Sequence, residues 1–207
     1  MIRAIVFDFG GVLATDTVVR QRLAGFDRML GWEAGALYER LYGGHAWRQV
    51  STGAWDVAQY WAEAGAPYEA KLPAAVRDEF RHYRDPFFGE PLDPDMVTLA
   101  WQLRGRYPVA LLSNATPLLA DRLQAEPDLH GLFSAVVISA LAGVRKPEAG
   151  AFALVCRLLG LSPAACVMID DKERNTTAAS AAGMQAIRHL DAQRTRAALA
   201  GLGVEGL

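Results

Sequence analysis

The chain is poor in the features that mark specialised protein classes. Cysteine occurs twice, at Cys156 and Cys166, in a chain of 207 residues. That is too sparse for a disulfide framework, and both positions fall in apolar segments, so reduced, structural thiols are expected. No apolar run approaches the ~18 residues that a membrane span needs. No basic segment followed by a long apolar stretch stands at the start. Neither sign of charge dominates: 21 basic residues face 23 acidic ones, for a net charge of −2. Such a balance gives no electrostatic footprint for nucleic acid or an anionic bilayer. The expectation is a cytoplasmic enzyme, monomer or homodimer, with neither nucleic acid nor membrane as partner. Lysine is also scarce. Lys71, Lys146 and Lys172 are the only three, so each is worth inspecting.

What is present is alternation. Short apolar, β-branched runs at Ile2–Phe7, Pro108–Ser113, Ala135–Ser139, Cys166–Ile169 and Ala186–His189 read as strands. Helical patterns separate them at Asp95–Arg104, Pro117–Gln124, Ala149–Leu159, Asn175–Ala182 and Asp191–Leu199. Asp93 with Pro94 and Ser162 with Pro163 mark helix starts, and Gly105, Gly160 and Gly183 mark ends. Strand–helix alternation of this kind predicts an α/β fold, a doubly wound parallel sheet covered on both faces. Residues 16–91 break the pattern. They are helical in character and rich in aromatics, among them Phe26, Trp32, Trp47, Tyr60, Phe80, Phe87 and Phe88, with Gly43-Gly44, Pro67, Pro86 and Pro91 as punctuation. They predict an inserted helical domain between two parts of the α/β core, residues 1–15 and 92–207.

Acids sit where strands end. Asp8 follows the first run and precedes Phe9-Gly10-Gly11, and Asp170-Asp171 closes the run Val167-Met168-Ile169. Parallel strands carrying acids at their carboxyl ends bring them to one rim of the sheet. An anionic rim suits a hard divalent cation, and such a cation suits phosphate chemistry. Two further signals lie between them: Ser113-Asn114 after the second strand, and Arg145-Lys146-Pro147-Glu148 at a helix start.

Taken in order, these four segments resemble the motifs of the haloacid dehalogenase-like hydrolase superfamily, over essentially the whole chain, and the insert resembles that superfamily's small helical cap. The Phe-Gly-Gly variant, with Gly44-His45-Ala46-Trp47 and Thr52-Gly53, is similar to a bacterial group that includes sugar-phosphate phosphatases. The resemblance implies a Mg²⁺-dependent phosphatase in which Asp8 attacks phosphorus and becomes an aspartyl-phosphate. It implies metal contacts from Asp8, from the Gly10 carbonyl and directly from Asp171, with Asp170 in the second layer or acting through water. Ser113, with the Asn114 backbone, would bind a phosphate oxygen, and Lys146 would pair with both nucleophile and phosphate. Gly10, Gly11, His45 and Trp47 complete the substrate-binding set, for a small phosphorylated metabolite with sugar 1-phosphates favoured.

One position departs from the family pattern. Many of these phosphatases carry a second Asp two residues after the nucleophile as general acid and base, and here that residue is Gly10. General acid–base help is worth roughly 10²–10⁴-fold in rate. The alternatives are a leaving group needing little protonation, an acid from the insert (His45), or a domain that binds without turnover. A metal-independent 2-haloacid dehalogenase and a phosphoglucomutase-like transferase rank lower, since the acid pair argues against the first and Gly10 against the second. Taken singly, Asp8 reads as a turn residue, Ser113-Asn114 as a loop, and Asp170-Asp171 as helix N-terminal acids. Trp47 reads as core packing, Arg48 and Arg145 as solvent-facing, and Arg194 with Arg196 as the wet face of the last helix.

Overall fold

A computed structural model describes residues 1–84 and 90–207, so Pro86, Phe87 and Phe88 lie outside the described residues. Five parallel strands form one sheet: β1 Ala4–Phe7, β2 Val109–Ser113, β3 Ala135–Ile138, β4 Cys166–Asp170 and β5 Gln185–Arg188, in the spatial order β3-β2-β1-β4-β5. The chain thus winds outward from β1 in one direction, then returns to β1's other side through β4. That reversal leaves a crevice at the carboxyl ends of β1 and β4, where ligands bind in open α/β sheets. Register puts Phe7 beside Ile169 and Asp170 beside Arg188.

Period-two alternation decides which layer each strand residue joins. Ile5, Phe7, Val109, Leu111, Val167 and Ile169 face one core, and Ala4, Val6, Ala110, Leu112, Cys166 and Met168 face the other. Helix α7 (Pro94–Arg104), α8 (Leu118–Ala125) and α12 (Ala192–Gly201) close the first layer; α10 (Ala149–Leu159) and α11 (Glu173–Ala181) close the second. A short α9 (Ser139–Ala142) follows β3. The caps are where the sequence places them: the Asp93 carboxylate accepts the Asp95 and Met96 N–H groups ahead of α7, with Pro94 in its first turn. Ser162 differs, since it precedes only a 3₁₀ turn and its side chain caps nothing. Cys156 and Cys166 are buried free thiols.

Between β1 and α7 lies the helical insert: α1 Thr17–Met29, α2 Ala36–Tyr42, α3 His45–Val50, α4 Val57–Ala64, α5 Ala66–Glu69 and α6 Arg77–Arg81. It has its own core of Leu23, Phe26, Leu41, Trp47, Tyr60 and Phe80, separate from both sheet layers. Edge-to-face pairs such as Phe26–Phe80, with ring centres 5.2 Å apart, add to the area these rings bury. The outgoing and returning passages are bonded to each other. Ala14 and Leu92 form an antiparallel bridge, Thr15 N–H donates to the Pro91 carbonyl, and Asp93 N–H donates to that of Leu13. Among the described residues, no helix is long and apolar enough to cross a membrane.

Candidate active site

The acids do converge. The Asp8 N–H, just past β1, donates to the Ile169 carbonyl of β4 at 2.9 Å, so the neighbouring strand fixes where the Asp8 side chain begins. One Asp8 oxygen accepts the Phe9 N–H at 2.7 Å; the other lies 2.9 Å from Lys146 Nζ. Asp8, Asp170 and Asp171 offer carboxylate oxygens that all lie within 4.8 Å of one another.

Lys146 is 1% exposed and sits between two carboxylates, 2.6 Å from Asp170 Oδ2 as well as beside Asp8. Burial works against its charge, but Asp170 and Asp8 more than compensate and hold its ammonium above the usual lysine range. Its backbone is clamped. Asn114 Nδ2 donates to the Lys146 carbonyl and Asn114 Oδ1 accepts the Lys146 N–H, each at 2.8 Å. The Lys146–Pro147 bond is cis, and α10 starts at Ala149, where the sequence pattern places it.

The two acids at the end of β4 have different surroundings. Asp170 is fully buried, and both its oxygens are engaged, by Lys146 Nζ, the Lys172 N–H and Asn175 Nδ2. Burial opposes its charge, yet Lys146 and these hydrogen bonds outweigh that and hold its carboxyl below the usual range. Asp171 has the opposite character. Its Oδ1 is buried with no hydrogen-bond partner, and burial pushes its carboxyl up. Burial likewise pushes Asp8 up to about 7 despite Lys146, with Asp170 and Asp171 adding to the rise. Lys146 is committed mainly to Asp170, and the exposed Lys172 acts on Asp8 and Asp171 only through its charge. Asp8 and Asp171 are left short of positive charge, and their oxygens suit a hard cation. Gly11 takes a left-handed φ of 78°, and a Cβ there would stand 2.8 Å from Asp171 Oδ2, so only glycine lets the loop pass this close.

Asp8, Gly10, Ser113, Asn114, Lys146, Asp171 and Trp47 all line one cavity of about 500 Å3 under the insert. Gly11 is behind its wall, against Asp171. His45 is not in the lining; it opens α3, is exposed, and sets its ring 5.7 Å from that of Trp55. Arg145, expected at the surface, is instead 8% exposed and lines the cavity. The Lys146 clamp draws the preceding residue inward with it. Three further lining groups had no distinctive sequence signal: Asp16 accepts from Arg20 Nε at 2.6 Å and from the Tyr38 hydroxyl at 2.8 Å. A second cavity of about 520 Å3, beside β3, has Leu123, Phe133, Leu141 and Leu158 in its wall and no titratable side chain, so it holds no comparable chemistry.

Comparison with known proteins agrees with this geometry. A model of the family described as haloacid dehalogenase-like hydrolase matches residues 2–183. Protein CbbY of Cupriavidus necator is 30% identical over 202 residues, covering 90% of this chain and 77% of that one. The fructose-1-phosphate phosphatase YqaB of Escherichia coli is 34% identical over 98 residues, 47% of this chain and 51% of that one. Among solved structures, a predicted HAD-like family hydrolase from Porphyromonas gingivalis superposes with a TM-score of 0.73 at 22% identity, covering 99% of each chain. A HAD family enzyme of Bacteroides thetaiotaomicron in complex with magnesium and inorganic phosphate gives 0.67 at 21%, over 90% of this chain and 93% of that one. The L-2-haloacid dehalogenase of Xanthobacter autotrophicus, with chloropropionic acid covalently bound, gives 0.65 at 18%, over 99% and 85%. At such identities the structures speak to the fold alone. The family match, spanning both parts of the core and the insert between them, decides the assignment: this chain belongs to the haloacid dehalogenase-like hydrolases.

Proposed function

We propose that the chain is a Mg²⁺-dependent phosphomonoesterase for a small phosphorylated metabolite, with a sugar phosphate as the favoured class. In this reading residues 1–15 and 92–207 are the catalytic core and residues 16–91 the cap. The observation that carries it is the buried, unpartnered Oδ1 of Asp171, within reach of Asp8 and beside a lysine already taken by Asp170. A dehalogenase displaces halide from carbon and has no use for that arrangement.

Asp8 attacks phosphorus in line, its carboxylate oxygen forming a P–O bond as the ester oxygen departs; water then cleaves the aspartyl-phosphate and restores Asp8. Asp8, Asp171 and the Gly10 carbonyl would hold the Mg²⁺, which would neutralise phosphate oxygens and keep Asp8 ionised. Asp170 acts through Lys146, holding its ammonium against Asp8 and the incoming phosphate. Ser113 offers its hydroxyl at the end of β2, and Asn114 keeps Lys146 in place through its backbone. Gly10 supplies no acid and His45 is not in the cavity lining, which favours leaving groups that depart with little protonation, such as the anomeric oxygen of a sugar 1-phosphate. The similarity to a fructose-1-phosphate phosphatase supports a sugar phosphate as the substrate class, although the C1 oxygen of fructose is a primary alcohol and not an anomeric one.

The test is phosphate release from a panel of sugar phosphates and other small esters, with Mg²⁺ and with EDTA. Release should require the metal and vanish in Asp8→Asn. Turnover that survives EDTA, or halide release from 2-chloropropionate without phosphate release, would reject the proposal.

A further inference from the structure

Arg145 lines the cavity that holds Asp8 but is paired with none of its acids. Its side chain has no hydrogen bond or ion pair among the described residues, and its Nε is buried without a partner although the residue is 8% exposed. Two other cations that are buried or partly buried are matched: Arg122 with Glu126, and Lys146 with Asp8 and Asp170. A buried guanidinium left without an acceptor is costly, and it persists where an absent ligand completes it. Its neighbours add to the imbalance. Burial holds the Arg145 charge down, and Arg48 from α3 and Arg174 from α11 push it further, with only Glu148 opposing them. Arg145 and Arg174 line the same cavity as Asp8. One cavity thus contains a cluster of acids and, at Arg145, a cation with no acid paired to it.

We infer that Arg145, with Arg174 and Arg48 near it, forms a second anion subsite that takes a phosphate or carboxylate of the substrate other than the phosphoryl group attacked by Asp8. This rests on the phosphomonoesterase reading and narrows it to esters carrying a second negative group. Arg suits the role, since its fork meets a phosphate or carboxylate with two parallel N–H donors.

Affinity in the Asp8→Asn background with Mg²⁺ tests this by calorimetry, without turnover. Two matched pairs separate the sources of charge: phosphoglycerate against glycerol phosphate, and a hexose bisphosphate against its monophosphate. At least one doubly anionic member should bind about tenfold or more tightly than its match, the scale of one charge-assisted hydrogen bond. Adding Arg145→Met should reduce that preference below about threefold, Arg145→Lys should keep part of it, and the exposed Arg174→Gln should weaken it without a folding effect. Arg145→Met should also raise the melting temperature of the ligand-free protein, because it removes a buried unpaired charge; a merely structural arginine would lower it. Equal affinities within both pairs would overturn the inference. So would equal weakening of singly and doubly charged ligands by Arg145→Met, which would place Arg145 on the reacting phosphoryl group. Failure of the wild type to release phosphate from any ester would refute the phosphatase reading alone, because the paired affinities do not depend on turnover.

Discussion

Replacing Lys146 by Met tests the electrostatics of the rim directly. The side chains are similar in length and both are apolar along the stem, so packing is largely kept while the charge is removed. The ammonium touches Asp8 at 2.9 Å and Asp170 at 2.6 Å, and Asp170 is fully buried. Removing one member of such a group leaves the others charged and uncompensated, a loss of about 3–5 kcal/mol. For a chain of this size, ~2–4 °C per kcal/mol turns that into a fall in melting temperature of roughly 6–20 °C. The sign with pH follows from Asp170. Its carboxyl is held below the usual range in the folded protein, so its stabilising contribution exists above the unfolded pKa and is lost as pH falls through the folded one. Without Lys146 that carboxylate takes up a proton more readily. The gap between wild type and Lys146→Met should therefore narrow from pH 8 to pH 5. Melting in EDTA across that range, followed by calorimetry or fluorescence, measures it. A gap below about 1 kcal/mol at pH 8, or one independent of pH, would show that Lys146 does not balance these acids.

Mg²⁺ itself should stabilise more as pH rises from about 4 to 7: Asp8 is pushed up to about 7, so its ionisation increasingly penalises the metal-free fold over that interval, and melting curves with and without Mg²⁺ should diverge. Asp171→Asn should abolish the Mg²⁺-dependent rise in melting temperature together with phosphate release, yet melt no lower than wild type in EDTA, since the buried carboxylate has no partner to lose. Gly11→Ala forces a Cβ to within 2.8 Å of Asp171 Oδ2 at a φ of 78°; the backbone alone costs about 1–2 kcal/mol, and a metal titration should show weaker Mg²⁺ binding. Asn114→Ala frees both polar groups of the Lys146 backbone, and should lose about 1–3 kcal/mol in denaturant melts with a lower kcat.

Strands were the most legible part of the sequence, because apolar β-branched runs bounded by Gly, Pro or Asp have few other readings. Their ends moved slightly: β4 extends to Asp170 because Asp170 pairs with Arg188, a cross-strand fact no single run contains. The convergence of Asp8 with the Asp170-Asp171 pair was legible for a related reason, as parallel strands bring their carboxyl ends to one side. Hydrogen-bond accounting was not. Nothing local distinguishes Asp170, engaged on both oxygens, from Asp171, whose Oδ1 is left over. Nor does a sequence show that Arg145 is drawn inside by its neighbour's clamp, or that His45 turns toward Trp55. Charged side chains are exposed by default, and only tertiary contacts override that default.

The bonded pair of passages at Ala14 and Leu92 makes the helical insert a detour that begins and ends at one spot. The cost of closing a detour grows only slowly with its length once its ends are pinned. The sheet therefore feels the junction rather than what hangs from it. A different helical module spliced between Thr15 and Pro91 would leave the acids in place and change only what is allowed to approach them, so chemistry and selectivity can evolve as separable modules.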